Sequence, residues 1–163
     1  MQEILIQKLL LYMEENNPEL LVQLGEESRV TDYLLNKVAM VDSLISEEED
    51  DQPAYILETA CMDILTQDLK PSRYQYICKI LQEEFKDYYE TLEPTGLQKF
   101  EAINLLDSCK EVFDEFGFDE ESEDNRLLRY LIMGSISEYF EHGSSKKSVS
   151  DGLQDSTKIT GKY

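Results

Sequence analysis

The chain has 163 residues, 41% of them hydrophobic, and 15 basic against 35 acidic residues give a formal net charge of −20. That length and apolar content support one substantial core rather than two independent domains. Self-repulsion on that scale favours solubility and opposes approach to phosphate backbones or anionic lipid, so direct nucleic-acid binding is not expected.

The charge is uneven. Residues 143–163 hold Lys146, Lys147, Lys158 and Lys162 against Asp151 and Asp155; the body, with 11 basic and 33 acidic residues, carries −22 and the tail +2. Cys61, Cys78 and Cys109 are odd in number, lack a CxxC spacing and each sit in an apolar helical stripe. Buried, reduced thiols in a cytoplasmic protein are therefore expected. The opening MQEILIQKLLLYMEENN lacks a basic n-region, and no segment reaches about 18 uninterrupted apolar residues, so neither secretion nor membrane spanning is expected.

Residues 3–15 place Leu5, Leu9 and Tyr12 on one helical face and Ile6, Leu10 and Met13 beside it, a surface wide enough to be sandwiched between other helices. Asn17-Pro18 reads as an N-cap with proline at N1, opening a short helix that Gly25 ends in a left-handed conformation. From Ser28 to Ile45, the steps Val30, Leu34, Val38, Val41 and Ile45 predict one amphipathic helix. The acidic run 47–51 is an exposed loop, and the next helix opens at Pro53 with Leu57, Ala60, Cys61, Ile64 and Leu65 inward.

Pro71 requires a new helix, and Ser72 with Gln75 three residues on forms a capping box. On that helix Tyr74, Ile77, Cys78, Leu81 and Phe85 make the predicted inner stripe, and Lys79 has Glu83 four residues on. Thr95 and Gln98 repeat the box before a helix carrying Ala102, Leu105, Leu106, Cys109, Val112, Phe113 and Phe116, capped by Gly117. A last helix follows the acidic DEESEDN segment, carries Leu128, Leu131, Ile132, Ile136, Tyr139 and Phe140, stops at Gly143, and allows a close helix crossing at Gly134 and Ser135. The Ser-, Gly- and Lys-rich segment 144–163 reads as a disordered tail.

The sequence thus predicts an all-α, single-domain bundle of about five to six helices with orthogonal or irregular packing, over residues 1–143, followed by a flexible tail over 144–163.

Catalytic signals are absent. There is no P-loop, GxGxxG, HExxH or GxSxG, and His142, the single histidine, sits where the last helix is expected to end and reads as a capping or exposed group. The acidic runs lack EF-hand spacing, so no metal and no cofactor are expected, and the chain is not read as an enzyme. What remains is a small cationic surface spot formed by Lys70, Arg73 and Tyr76 on the acidic body. Ten tyrosines and no catalytic constellation suggest a protein-interaction module with a protein partner; the alternative is an acidic nucleic-acid mimic that occupies the basic groove of a DNA-acting protein.

The order of landmarks, NPEL at 17–20, PSRYQYICKILQEEF at 71–85 and LIMGSISEYFEHG at 131–143, resembles a Bacteroidetes family of small all-helical proteins, domain of unknown function 1896. The resemblance rests on Asn17 to Leu20, Ser72 with Tyr74, Ile80 with Leu81, Glu84 with Phe85, and Gly134 with Ile136, and spans nearly all of residues 3–143. It implies an all-helical fold and a setting in mobile, conjugation-related elements, and it brings no catalytic residues. The acidic stretch 47–51 is more charged than that pattern suggests.

Overall fold

A computed structural model describes residues 1–48 and 52–153, with side chains described as far as Gly143 except for Glu48. Among these residues there are nine α-helices joined in places by short 3-10 turns, and no strand. The all-α expectation holds, while the helix number is higher than five to six because apolar periodicity runs on through breaks that the backbone makes.

α1 (Gln2–Asn16) buries Leu5, Leu9 and Met13, and contacts α2 (Pro18–Glu26), α3 (Val30–Ala39), α5 (Ala54–Thr66) and α6 (Arg73–Glu84). It is the central rod of the N-terminal half. The predicted helix over 28–45 is two, α3 and α4 (Asp42–Glu48). Met40 and Val41 donate to the Lys37 and Val38 carbonyls over 3.1 Å, tightening the last turn before Ile45 restarts the ladder on Val41. Buried Val41 and Ile45 stay in register across this break, so the stripe alone could not show it. On α5, Leu57, Cys61, Leu65 and Thr66 are buried, whereas Ala60 and Ile64, expected inside, are exposed. The expected acidic loop falls partly on α4, with residues 49–51 outside the described residues.

Gly25 does not end α2 in a left-handed conformation. The helix runs to Glu26, and Ser28 takes the positive φ of 55°. Arg29 N–H donates to Leu24 O over 2.8 Å and Ser28 N–H to Gly25 O over 3.1 Å, a Schellman closure with serine at the position that glycine usually fills.

The C-terminal half is built on α6, α8 (Gln98–Phe116) and α9 (Arg126–Leu153), with α7 (Lys86–Leu92) set off from α6 by a break at Phe85. The second predicted capping box is absent: Thr95 lies in a 3-10 turn and donates to Leu92 O, Gly96 is left-handed, and α8 starts at Gln98. Gly117 closes α8 as expected, at φ 63°, with Phe118 N–H reaching Phe113 O and the two rings packed at 5.0 Å. Asn125 caps α9 by accepting from Leu128 N–H.

α9 does not stop at Gly143 but continues as helix to Leu153, so His142 sits within it rather than at its end; the rest of the expected tail, 154–163, lies outside the described residues. Gly134 is exposed, and no described residue outside its own helix lies within 4 Å of its Cβ position, so the close crossing expected there is not seen among the described residues.

The chain does not gather around one core. Twelve buried residues from Leu5 to Leu69 form one cluster, and twelve from Tyr76 to Ile136 form another. The boundary falls at Lys70–Pro71, a cis peptide bond. No helix among the described residues is long and apolar enough to cross a membrane.

A candidate binding seam between the two halves

The two halves meet where α1 ends and α6 begins. Ser72 Oγ accepts from Gln75 N–H over 3.0 Å, so the first predicted cap forms, but the rest of that box does not close on itself. Ser72 Oγ donates to Asn16 O, and Gln75 Nε2 donates to Glu15 O over 2.5 Å. The opening turn of α6 thereby satisfies carbonyls that the last turn of α1 leaves without intrahelical partners, and the positive end of one helix dipole meets the negative end of the other. Asn17, predicted to cap α2, instead donates from Nδ2 to Leu69 O over 3.3 Å.

The predicted surface spot is not one. Lys70 is exposed, but Tyr76 is buried at 6% exposure, with its ring edge-on to Phe113 at 5.8 Å and Phe118 at 5.2 Å. Arg73 is half-buried, donates to Asp114 Oδ1 over 2.9 Å and lies 5.2 Å from the centre of the Phe113 ring. The stripe predicted for α6 was set toward Tyr74 and Cys78. α6 packs against α8 and α9 through Tyr76, Ile77, Ile80 and Leu81, leaving Tyr74 and Cys78 half-buried. Glu83 pairs with Arg129 over 2.8 Å rather than with Lys79.

Two adjoining hollows lie along this seam. A chamber of about 320 Å³ has Asn17, Glu19, Leu20, Asp68, Leu69 and Pro71 in its wall. A groove of about 520 Å³ runs between α2 and α8, with Val22, Glu26, Ile103, Leu106, Asp107 and Lys110 along it. Glu19, Gln23 and Arg73 line both.

Burial sets the electrostatics here. It pushes the Glu19 carboxyl above the ordinary range, against the opposing pull of its own backbone N–H and of Arg73. Hydrogen bonds from Arg73 and then Lys110 hold Asp114 below the usual carboxylate range. Burial raises Cys78, with a hydrogen bond from Tyr74 pulling the other way, and raises Tyr74 in turn. Cys109 is pushed up to about 12 by burial alone. The cysteines are free, Cys61 and Cys109 buried and Cys78 half-buried. Among the described residues no three or more His, Cys, Asp or Glu side chains are placed to hold a metal ion.

Sequence reasoning missed Asn17, Glu19 and Gln23 as site residues. Asn-Pro carries a strong local turn signal, and nothing local shows that the asparagine reaches a carbonyl 52 residues away.

These features define an all-helical protein with two separate cores and a polar seam between them. The chain belongs to the DUF1896 family, a domain of unknown function, whose model matches residues 6–142. No curated protein and no solved structure matches it.

Proposed function

We propose that this chain is a non-catalytic protein-interaction module that receives a partner segment in the groove between α2 and α8. The groove carries the reading: Val22, 48% exposed, shares it with Ile103 and Leu106, while Glu26, Asp107 and Lys110 add charge of both signs. An apolar floor with a polar rim is the usual anatomy of a contact surface. The thiols add support, since a nucleophilic cysteine needs a lowered pKa and these are raised. The family resemblance adds a setting in mobile, conjugation-related elements, which is part of the same proposal.

Affinity purification from native lysate in mild salt, with mass spectrometry, tests the reading. A stoichiometric partner is expected, lost on Val22→Asp while the helical circular dichroism is kept. A monodisperse monomer with no stoichiometric partner overturns the proposal. Recovery of a DNA-acting protein that salt readily releases favours the acidic-mimic reading instead.

A further inference from the structure

The groove between α2 and α8 is built from two helix faces whose unopposed charge is acidic. On α8, Ile103, Leu106, Asp107 and Lys110 follow the i, i+3, i+4, i+7 spacing of one face, and Val22 and Glu26 stand one turn apart on α2. Arg73 and Lys110 both donate to Asp114, over 2.9 and 3.1 Å, and Arg73 also attracts the Glu19 carboxylate. These cations are thereby matched, whereas Glu26 and Asp107 are exposed and have no ion-pair partner among the described residues. The adjoining chamber offers a ligand less. Its two oxygens without a hydrogen-bond partner among the described residues, Asn17 Oδ1 and Glu19 Oε2, are wholly buried.

The form and charge of an occupant follow from this layout. Among the described residues there is no strand edge for an extended segment to join, while a face with i, i+3, i+4, i+7 spacing admits the side-chain ridge of another helix. From Ile103 to Lys110 that face runs for about 10 Å, two turns of a helix. The body charge of −22 draws a basic segment toward the groove and opposes both a nucleic acid and a second acidic copy of this chain. We propose that the groove takes a basic amphipathic helix of a partner protein. Its aliphatic row lies against Val22, Ile103 and Leu106, and its flanking lysines or arginines stand opposite Glu26 and Asp107. This inference rests on the interaction reading and adds to it the chemistry of the partner.

The test uses a synthetic peptide of about three helical turns, cross-linked to stay helical, with leucines at i, i+4 and i+7 and lysines flanking that row. Its binding to the full chain is followed by fluorescence anisotropy and by amide chemical shifts. Saturable binding is expected, with shifts at Val22, Ile103 and Leu106. A peptide with the same leucines and glutamate for every lysine should bind about tenfold more weakly. Glu26→Lys combined with Asp107→Lys, both at exposed positions, should invert that preference while the helical circular dichroism is kept. Equal binding of the two peptides, or a preference that the double variant leaves as it was, overturns the proposal. So does an affinity that rises when Lys146, Lys147, Lys158 and Lys162 are replaced by glutamine, which gives the groove to the chain's own tail. A dimer in sedimentation that the lysine peptide dissociates gives it to a second copy and overturns the proposal too. The comparison of the two peptides uses the unaltered chain and stays decisive even if a variant fails to fold. A stoichiometric lysate partner lost on Val22→Asp, with neither peptide bound, removes the basic-helix assignment and leaves the interaction reading; lysine-peptide binding with no partner recovered does the reverse.

Discussion

The buried core of the N-terminal half holds no aromatic ring, and that of the C-terminal half adds Tyr76 and Phe113 to an aliphatic set and includes the longest helices. Up to Leu69 the buried hydrophobic set is Leu, Val, Ile, Met and Cys, carried on helices of 7 to 15 residues apart from Val41 and Leu69. Beyond Pro71, α8 alone has 19 residues, and Tyr76, Phe113 and Phe118 meet edge to face, as do Phe85 and Phe140. Edge-to-face rings prefer particular geometries and add to area burial, whereas branched aliphatics fill space with little angular preference. The same chain therefore reaches close packing by two routes, and it joins the results through polar helix ends rather than shared apolar surface.

If the halves are separately packed, damage to one core should stay local. Phe113→Ala removes the ring shared by Tyr76, Phe118 and Arg73 and should destabilise the C-terminal half by about 3–5 kcal/mol. Native-state hydrogen exchange should then show amides of α6, α8 and α9 losing more protection than those of α1, α3 and α5, with Leu9→Ala giving the converse. Equal loss in both halves would show a single cooperative unit and break the comparison.

Next in size is the joint itself. Ser72→Ala deletes the cap of α6 and the donor to Asn16 O, with an expected loss of about 1–2 kcal/mol in denaturant unfolding. A loss no larger than that of an exposed serine would mean that the two helix ends are not coupled.

The buried carboxyl gives a pH signature. Because Glu19 is raised in the folded chain, it holds its proton more tightly there than when unfolded, and its contribution to stability falls as pH rises through the window above its ordinary pKa of 4.5. Glu19→Gln should therefore raise the melting temperature at neutral pH, and the gain should fade as pH falls toward 4.5. Asp114 runs the other way: its stabilisation is present above its ordinary pKa of 3.8 and is lost as pH falls through the lowered value. A Glu19→Gln gain that is flat with pH would place that carboxyl in an ordinary environment.

The smallest effect belongs to the N-terminal half. Ser28→Gly relieves a serine held at φ 55°, and stability should rise by up to about 1 kcal/mol in denaturant unfolding. A loss on this substitution would mean that the serine hydroxyl matters more than its backbone.

Much of the architecture was legible locally. The cap at Ser72, proline at the first turn of α2, the left-handed Gly117 and the stripes of α1 and α8 each follow from residues within a turn or two of one another. The break at Met40 was hidden because buried residues keep step on both sides of it, while α7, beyond the break at Phe85, buries no residue that could mark a new stripe. Of the predicted surface spot, Arg73 alone reaches the seam: Tyr76 turned inward once α6 chose α8 and α9 as neighbours, and Lys70 stayed in solvent. Asn17 and Glu19 were invisible as a pair, because their unmatched oxygens depend on Leu69 and on where α6 lies.

The sequence by itself determined that this protein is helical, acidic and without a membrane-length apolar helix among its described residues, since composition and periodicity act within a few residues of one another. Tertiary structure alone decided that twenty-four buried residues divide into two cores and that a polar seam opens between them. Which half a stripe packs against, and which oxygen is left without a donor, depends on contacts more than fifty residues apart, such as Asn17 to Leu69 and Asn16 to Ser72, and no local pattern records them.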